Sequence, residues 1–137
     1  MSPVWSLRLA IRALVGGLLV FGAVSTGWSA TVPWTTFSEA AKNSTLITSG
    51  IGPCVNGPME VAYFLLEHKG DQWGYWYASD TERLVVAYYP KGADMPSEVG
   101  IGRVDPTRAD VIPVLTWMAF TESTPGPCQL LRYDPKA

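Results

Sequence analysis

The sequence predicts a mainly β protein, with α+β as the alternative class: a small antiparallel meander or incomplete barrel with one short N-terminal helix and one disulfide. Three runs of residues, 59–67, 72–78 and 83–89, are rich in β-branched and aromatic side chains, and short polar turns separate them. A single helix-capping motif precedes these runs. Two cysteines, each preceded by Gly-Pro, allow only one intramolecular bond.

The first thirty residues predict a secretory signal peptide. Arg8 and Arg12 give a basic start, residues 13–24 form an uncharged apolar stretch, and small and polar residues follow. A retained membrane anchor is the alternative, but it needs about 20 apolar residues to cross a bilayer, and the apolar run before Ser25 and Thr26 has twelve. We therefore expect cleavage after Gly27 or Ala30 and export to the periplasm or the exterior, with no stable membrane anchor.

The remaining chain, residues 31–137, has the size of a single domain and an acidic balance. It holds all twelve acidic residues and eight of the ten basic ones, so its net charge is −4. Nucleic-acid binders carry clustered Lys and Arg, and anionic membranes attract basic segments, so neither is an expected partner. An unknown protein or glycan of the cell envelope is compatible with this charge.

The helix is predicted over residues 37–43. Thr36 and Glu39 form a capping box, in which each side chain satisfies a backbone N–H at the helix start. The two alanines and the lysine that follow favour a helix. Residues 45–51 are expected to be extended or looped, and residues 56–58, Asn-Gly-Pro, to turn the chain.

After the three central strands, the pattern is less regular. Residues 98–104 alternate in period two and contain glycines that indicate a bulge or close packing. Asp105 can cap a short helical turn that begins with Pro106. Residues 111–120 are expected to form a strand at an edge or a bulge, because they contain a proline. Residues 129–133 are expected to form the last strand.

Cys54 and Cys128 predict one structural disulfide. Export would place them where disulfides persist, and closing a loop of about 75 residues stabilises the fold by about 4.5 kcal/mol in the loop-entropy model. There is no C-x-x-C motif, and two cysteines with one histidine cannot complete a four-ligand zinc site without carboxylates. No metal and no cofactor are therefore expected.

The candidate ligand-binding residues are the large rings of the second and third central strands: Trp73, Tyr75, Tyr77, Trp76 and Tyr88. Trp73, Tyr75 and Tyr77 alternate and so share one face, while Trp76 points to the other. One face must belong to the core. If the other is exposed, it presents a platform for a sugar, a peptide or a protein. The alternative is that a small β domain fills its core with aromatic residues.

The sequence shows no catalytic signature. His68, the only histidine, is expected to be a solvated turn residue, and G-x-S-x-G is absent. The carboxylates near the central strands are expected to be solvated, although two of them at a suitable separation could serve a glycosidase. Gly100 and Gly102 lack the third glycine and the following helix of a nucleotide loop, so a bulged strand is expected. The sequence favours a protein that is not an enzyme.

Size, export and a single disulfide make the chain similar to the periplasmic inhibitors of c-type lysozyme, although residues 98–102 lack the serines of their inhibitory loop. This similarity implies an inhibitor of a basic hydrolase such as lysozyme, towards which an acidic protein would be steered. The function that the sequence predicts is a small exported binding or interaction module of the cell envelope. The inhibitor and a small cell-envelope hydrolase are the alternatives.

Overall fold

The computed structural model describes residues 32–54 and 59–132. The predicted signal peptide and the predicted turn at residues 56–58 lie outside these ranges. Two helices are α1 (Phe37–Asn43) and α2 (Pro127–Arg132), and the strands are β1 (Thr45–Pro53), β2 (Glu60–His68), β3 (Asp71–Ala78), β4 (Arg83–Tyr89), β5 (Glu98–Arg103) and β6 (Thr116–Ala119). The strands form one open antiparallel sheet in sequence order. The predicted mainly β meander with an N-terminal helix is confirmed.

Helix α1 begins at the predicted capping box. The Thr36 hydroxyl accepts a hydrogen bond from the Glu39 backbone N–H at 3.0 Å. The Glu39 carboxylate in turn accepts one from the Thr35 backbone N–H at 2.7 Å. Bonds to the ionised carboxylate, above all from the backbone of Thr35, hold the pKa of Glu39 below its usual value.

A second segment holds α1 against the sheet. The Phe37 N–H donates to the carbonyl of Asp110 at 2.8 Å, and the Ile112 N–H donates to the carbonyl of Thr35 at 2.9 Å. The carboxylate of Asp110 also accepts from the backbone N–H of Ser38 at 3.1 Å. The chain around residue 110 therefore ties the start of α1 to the segment that follows β5.

The β2–β3 hairpin closes through Lys69 and Gly70, whose φ angles are 53° and 90°. Two successive residues with positive φ define a type I′ turn, whose twist matches that of the flanking strands. The turn pairs His68 with Asp71 and continues to Val61 opposite Ala78 without interruption. This register fixes which side chains of β3 share a face.

Both faces of the sheet carry a buried apolar layer. The α2 face, which α2 covers, is lined by Val61, Leu65, Trp76, Val85, Ala87, Tyr89, Val99, Leu130 and Leu131. The α1 face, which α1 and the preceding segment cover, is lined by Trp34, Ala40, Leu66, Trp73, Tyr75, Leu84, Val86 and Val104. The central strands β3 and β4 are therefore buried from both sides, and their side chains form two cores rather than one.

The Cys54–Cys128 disulfide is present, as predicted, with the two Cα atoms 5.8 Å apart. Cys54 directly follows β1 and Cys128 is the second residue of α2. The bond therefore anchors α2 at the end of β1, on the α2 face.

The expected strand over residues 129–133 is wrong, because residues up to Arg132 belong to helix α2. The carbonyl of Gly126 accepts the Leu130 N–H at 3.1 Å, as in a first helical turn. Leu130 and Leu131 are both buried. A short apolar run of this kind does not distinguish a buried helix from a strand by its periodicity.

The strand expected over residues 111–120 is shorter, because only β6, Thr116–Ala119, pairs with β5. The expected bulge at Gly100 and Gly102 is also absent from the β4–β5 pairing, which is continuous. A Cβ at Gly100 would lie 3.0 Å from the Trp117 ring, and one at Gly102 would lie 2.8 Å from the Leu115 side chain. These glycines therefore allow close packing, which was the second explanation that the sequence offered for them beside a bulge.

Candidate functional site

Three of the five predicted ligand-binding residues lie in the core. Trp73, Tyr75 and Trp76 are buried, whereas Tyr77 and Tyr88 are half-buried. Trp73, Tyr75 and Tyr77 do share the α1 face, with Trp76 on the other face. Because both faces are covered, a ligand at the surface can reach only Tyr77 and Tyr88 of this set without a rearrangement. Ligand binding by these residues stays a prediction.

Trp34, which sequence reasoning did not single out, closes the α1 face over β3. Its indole N–H donates to the Tyr75 hydroxyl at 2.7 Å. The Phe64 ring stacks on Tyr75 with centroids 4.9 Å apart and planes 12° apart. Burial raises the pKa of Tyr75, which keeps the phenol neutral. Tyr75 is thus a packed and hydrogen-bonded core residue.

His68 is not a solvated turn residue as expected but the half-buried last residue of β2. Its Nδ1 lies 2.7 Å from the carbonyl oxygen of Asn43. Because a carbonyl can only accept, Nδ1 carries the proton. The imidazole also packs edge-on against the Trp34 ring, with centroids 5.5 Å apart. This position ties the end of α1 to β2.

Tyr88 is fixed at the corner where β3 begins. Its hydroxyl donates to one carboxylate oxygen of Asp71 at 3.1 Å, and the other oxygen accepts the Lys91 backbone N–H at 2.9 Å. Its ring lies against Trp73, with centroids 4.5 Å apart. Burial, and then the negative charge of Asp71, raise the pKa of Tyr88 to about 12. The accessible part of this ring is therefore rigidly held.

The feature that sequence reasoning missed is the exposure of β1, an edge strand of the sheet. Every residue of β1 except Gly52 is exposed, and Leu46 and Ile51 are 57 % and 75 % exposed. The strand contains no Lys, Arg, Asp or Glu. Natural proteins commonly protect such edges with charges, very short strands or a covering element. The only such devices in β1 are a register irregularity between Leu46 and Thr48 and a terminal proline.

The direction of the β1 backbone groups follows from one hydrogen bond. The Cys54 N–H donates to the Met59 carbonyl at 2.8 Å. Because hydrogen-bonded and non-bonded pairs alternate in an antiparallel ladder, the backbone groups of Gly50 and Gly52 face β2, and those of Ser49 and Ile51 face outward. Pro53 also faces outward, where its missing N–H costs no ladder bond.

No family model, curated protein or solved structure matches this chain. Within residues 32–54 and 59–132, no helix is long and apolar enough to cross a membrane. In the same part of the chain, no three His, Cys, Asp or Glu side chains are grouped so as to hold a metal ion. The fold and the edge define a disulfide-linked antiparallel β protein with an open, uncharged edge strand.

Proposed function

We propose that this protein is an exported interaction module of the cell envelope that binds protein partners by strand addition at β1. The observation that carries the proposal is the full-length exposure of an uncharged edge strand. In strand addition, main-chain hydrogen bonds supply affinity and the alternate side chains supply specificity. Here Ser49 and Ile51 offer the main-chain groups, and Ile51 offers an apolar side chain.

Two contributions to the free energy of binding favour the pairing of an incoming strand with β1. Each net hydrogen bond to an incoming strand contributes about 0.5–1.5 kcal/mol. Covering Ile51, which is 75 % exposed, adds about 1.5–3 kcal/mol at most, the range for burying a large aliphatic side chain. Pairing therefore has a driving force from both the backbone and the side chain.

Two features support the exported location. The Cys54–Cys128 bond suits an oxidising compartment, where disulfides persist. The basic and then apolar pattern of residues 1–30 suits a secretory signal. The cell envelope is therefore the place to look for a partner.

The test compares edge variants with a matched surface variant. Ile51→Lys adds a charge to the edge, and Ser49→Pro removes an outward N–H without touching the ladder to β2. Val114→Lys is the control, because Val114 is an apolar residue 96 % exposed in the segment before β6. Proteins captured from envelope and secreted fractions by the wild type and by Val114→Lys are expected to be absent from captures by the two edge variants. Identical captures by all four proteins, together with identical self-association, would contradict the proposal.

A basic hydrolase such as lysozyme is a second candidate partner, and its support is the net charge of −4 over residues 31–137. An acidic inhibitor would be steered to a basic enzyme, and salt would weaken the effect. Lysozyme activity with and without the protein, at low and moderate salt, tests it. Unchanged activity at low salt would remove this candidate and leave strand addition in place.

A further inference from the structure

We infer that the occupant of the β1 edge is a second copy of this chain, paired antiparallel about a two-fold axis at Gly50. The inference rests on the proposed function, since both use the same edge. The inference adds to the proposed function the identity of the partner and the register in which the two strands pair. In such a dimer the two sheets join through their β1 strands into one continuous sheet.

Gly50 is the middle residue of the part of β1 that pairs regularly. The register irregularity between Leu46 and Thr48 bounds it on one side, and Pro53 bounds it on the other, leaving residues 48–52. Five residues centred on Gly50 can pair with an inverted copy of themselves without including either end. These two bounds favour a register in which Gly50 lies at the centre of the paired segment.

This register satisfies the outward backbone groups. With Gly50 opposite Gly50 of the second copy, Ser49 lies opposite Ile51 and Ile51 opposite Ser49. Both residues carry an N–H and a C=O on the outer side, so the pairs exchange four hydrogen bonds. Moving the two-fold axis by one residue, from Gly50 to Ile51, would place Ser49 opposite Pro53, which has no N–H to donate.

Charge and shape allow the two copies to approach. β1 carries no charged residue, so self-pairing sets no like charges opposite each other. An added Cβ at Gly50 or Gly52 would meet no atom within 4 Å. The buried layers of both faces draw no residue from β1. Because β1 is exposed along its length, the layers that cover the two faces do not lie over the strand that would form the junction.

The register makes a sharp test possible with two glycine variants. In a non-hydrogen-bonded antiparallel pair the Cα atoms lie about 4.5 Å apart, within the span that a disulfide bridges. Gly50→Cys is therefore expected to form a disulfide-linked dimer under mild oxidation. Gly52→Cys is the matched control, because its two copies lie four residues out of register, about 13 Å apart. Both positions are open, so both variants should fold.

The experiment uses the secreted protein, expressed from the full-length chain so that the Cys54–Cys128 bond forms. Sedimentation across a concentration series is expected to show the mass of the wild type rising towards that of a dimer. Ile51→Lys is expected to remain monomeric, and Val114→Lys to follow the wild type. A monomeric wild type, or equal cross-linking of Gly50→Cys and Gly52→Cys, would overturn the inference.

Failure of the inference differs from failure of the proposed function. If the wild type is monomeric but Ser49→Pro abolishes capture of another protein, the edge binds a different partner and only the second copy is excluded. If Ser49→Pro changes neither self-association nor capture, the result contradicts both the pairing with a second copy and the proposed strand addition at β1.

Discussion

The indole N–H of Trp34 donates to the hydroxyl of Tyr75 across the α1 face, 41 residues apart in the sequence. Both side chains are buried. The bond joins the segment before α1 to the central strand β3. A buried hydroxyl that loses its partner bears most of its desolvation penalty, about 1–3 kcal/mol.

We expect Trp34→Phe to lower the free energy of unfolding by at least that penalty, because it removes the donor and leaves a smaller ring over Tyr75. Urea unfolding followed by circular dichroism measures it. Tyr75→Phe is the companion change, and the double variant should be less destabilised than the sum of the two. Strict additivity would mean that the hydrogen bond contributes no coupling.

The capping box of α1 gives a prediction for acid solution. The pKa of Glu39 in the folded protein lies below its usual value of 4.5. Its stabilising effect is therefore present above that value and is lost as the pH falls through the lowered pKa. In Glu39→Gln we expect the fall in stability below pH 4.5 to be shallower than in the wild type. Parallel curves for the two proteins from pH 6 to 3 would contradict this assignment.

The cap itself can be removed without changing a charge. Thr36→Ala deletes the hydroxyl that accepts the Glu39 N–H, and the expected loss is about 1 kcal/mol, as for other helix caps. Chemical unfolding at pH 7 measures it. Thr116→Ala, on the exposed side of β6, is the control and should have a smaller effect.

Tyr88 gives a prediction for alkaline solution. Its pKa is raised to about 12 from 10 in the folded protein. A group with a raised folded pKa contributes stability that is complete below the unfolded value of 10 and is lost as the pH rises through the folded value. Tyr88→Phe should therefore reduce the loss of stability between about pH 10 and 12. Spectrophotometric titration of Asp71→Asn should show one tyrosine ionising at lower pH, and an unchanged titration would contradict the pairing.

The glycines of β5 predict a steric effect. A Cβ at Gly102 would lie 2.8 Å from the Leu115 side chain and 3.1 Å from the backbone carbonyl of Val114. Because backbone cannot move aside as a side-chain tip can, Gly102→Ala is expected to cost about 1–3 kcal/mol, the range for overpacking. Gly126→Ala, with nothing within 4 Å, is the control in the thermal unfolding series. Equal midpoints of thermal unfolding for the two variants would show that residues 111–115 move to accommodate the added methyl group at little cost in stability.

Local patterns predicted much of this fold. The capping box placed α1 at Phe37–Asn43, and the β-rich runs placed β2, β3 and β4 to within one residue at each end. The cysteine count gave the disulfide. These features depend on neighbours in the sequence, on hairpin turns, or on simple counting, so a single sequence contains them.

The remaining features depend on distant packing. Alternation in β3 assigns its rings to two faces, but it cannot show that both faces are covered, because a strand buried on both sides carries apolar residues throughout. Leu130 and Leu131 are adjacent, and only their burial beneath the sheet, where α2 packs, identifies a helix. The exposure of β1 arises because a strand pairs with it on one side only. No pattern within residues 45–51 predicts that β1 lies at the edge of the sheet.

The Cys54–Cys128 bond also divides the molecule mechanically. Strands β2 to β6 lie inside the covalent loop that it closes, whereas β1 and α1 lie outside it. If the protein is pulled from its two ends, tension passes from Cys54 directly to Cys128 and bypasses those five strands. A load can then peel away only β1, α1 and the last residues of α2. Extension under force is thus confined to these outer elements, the edge strand among them, while the five strands inside the loop keep their length.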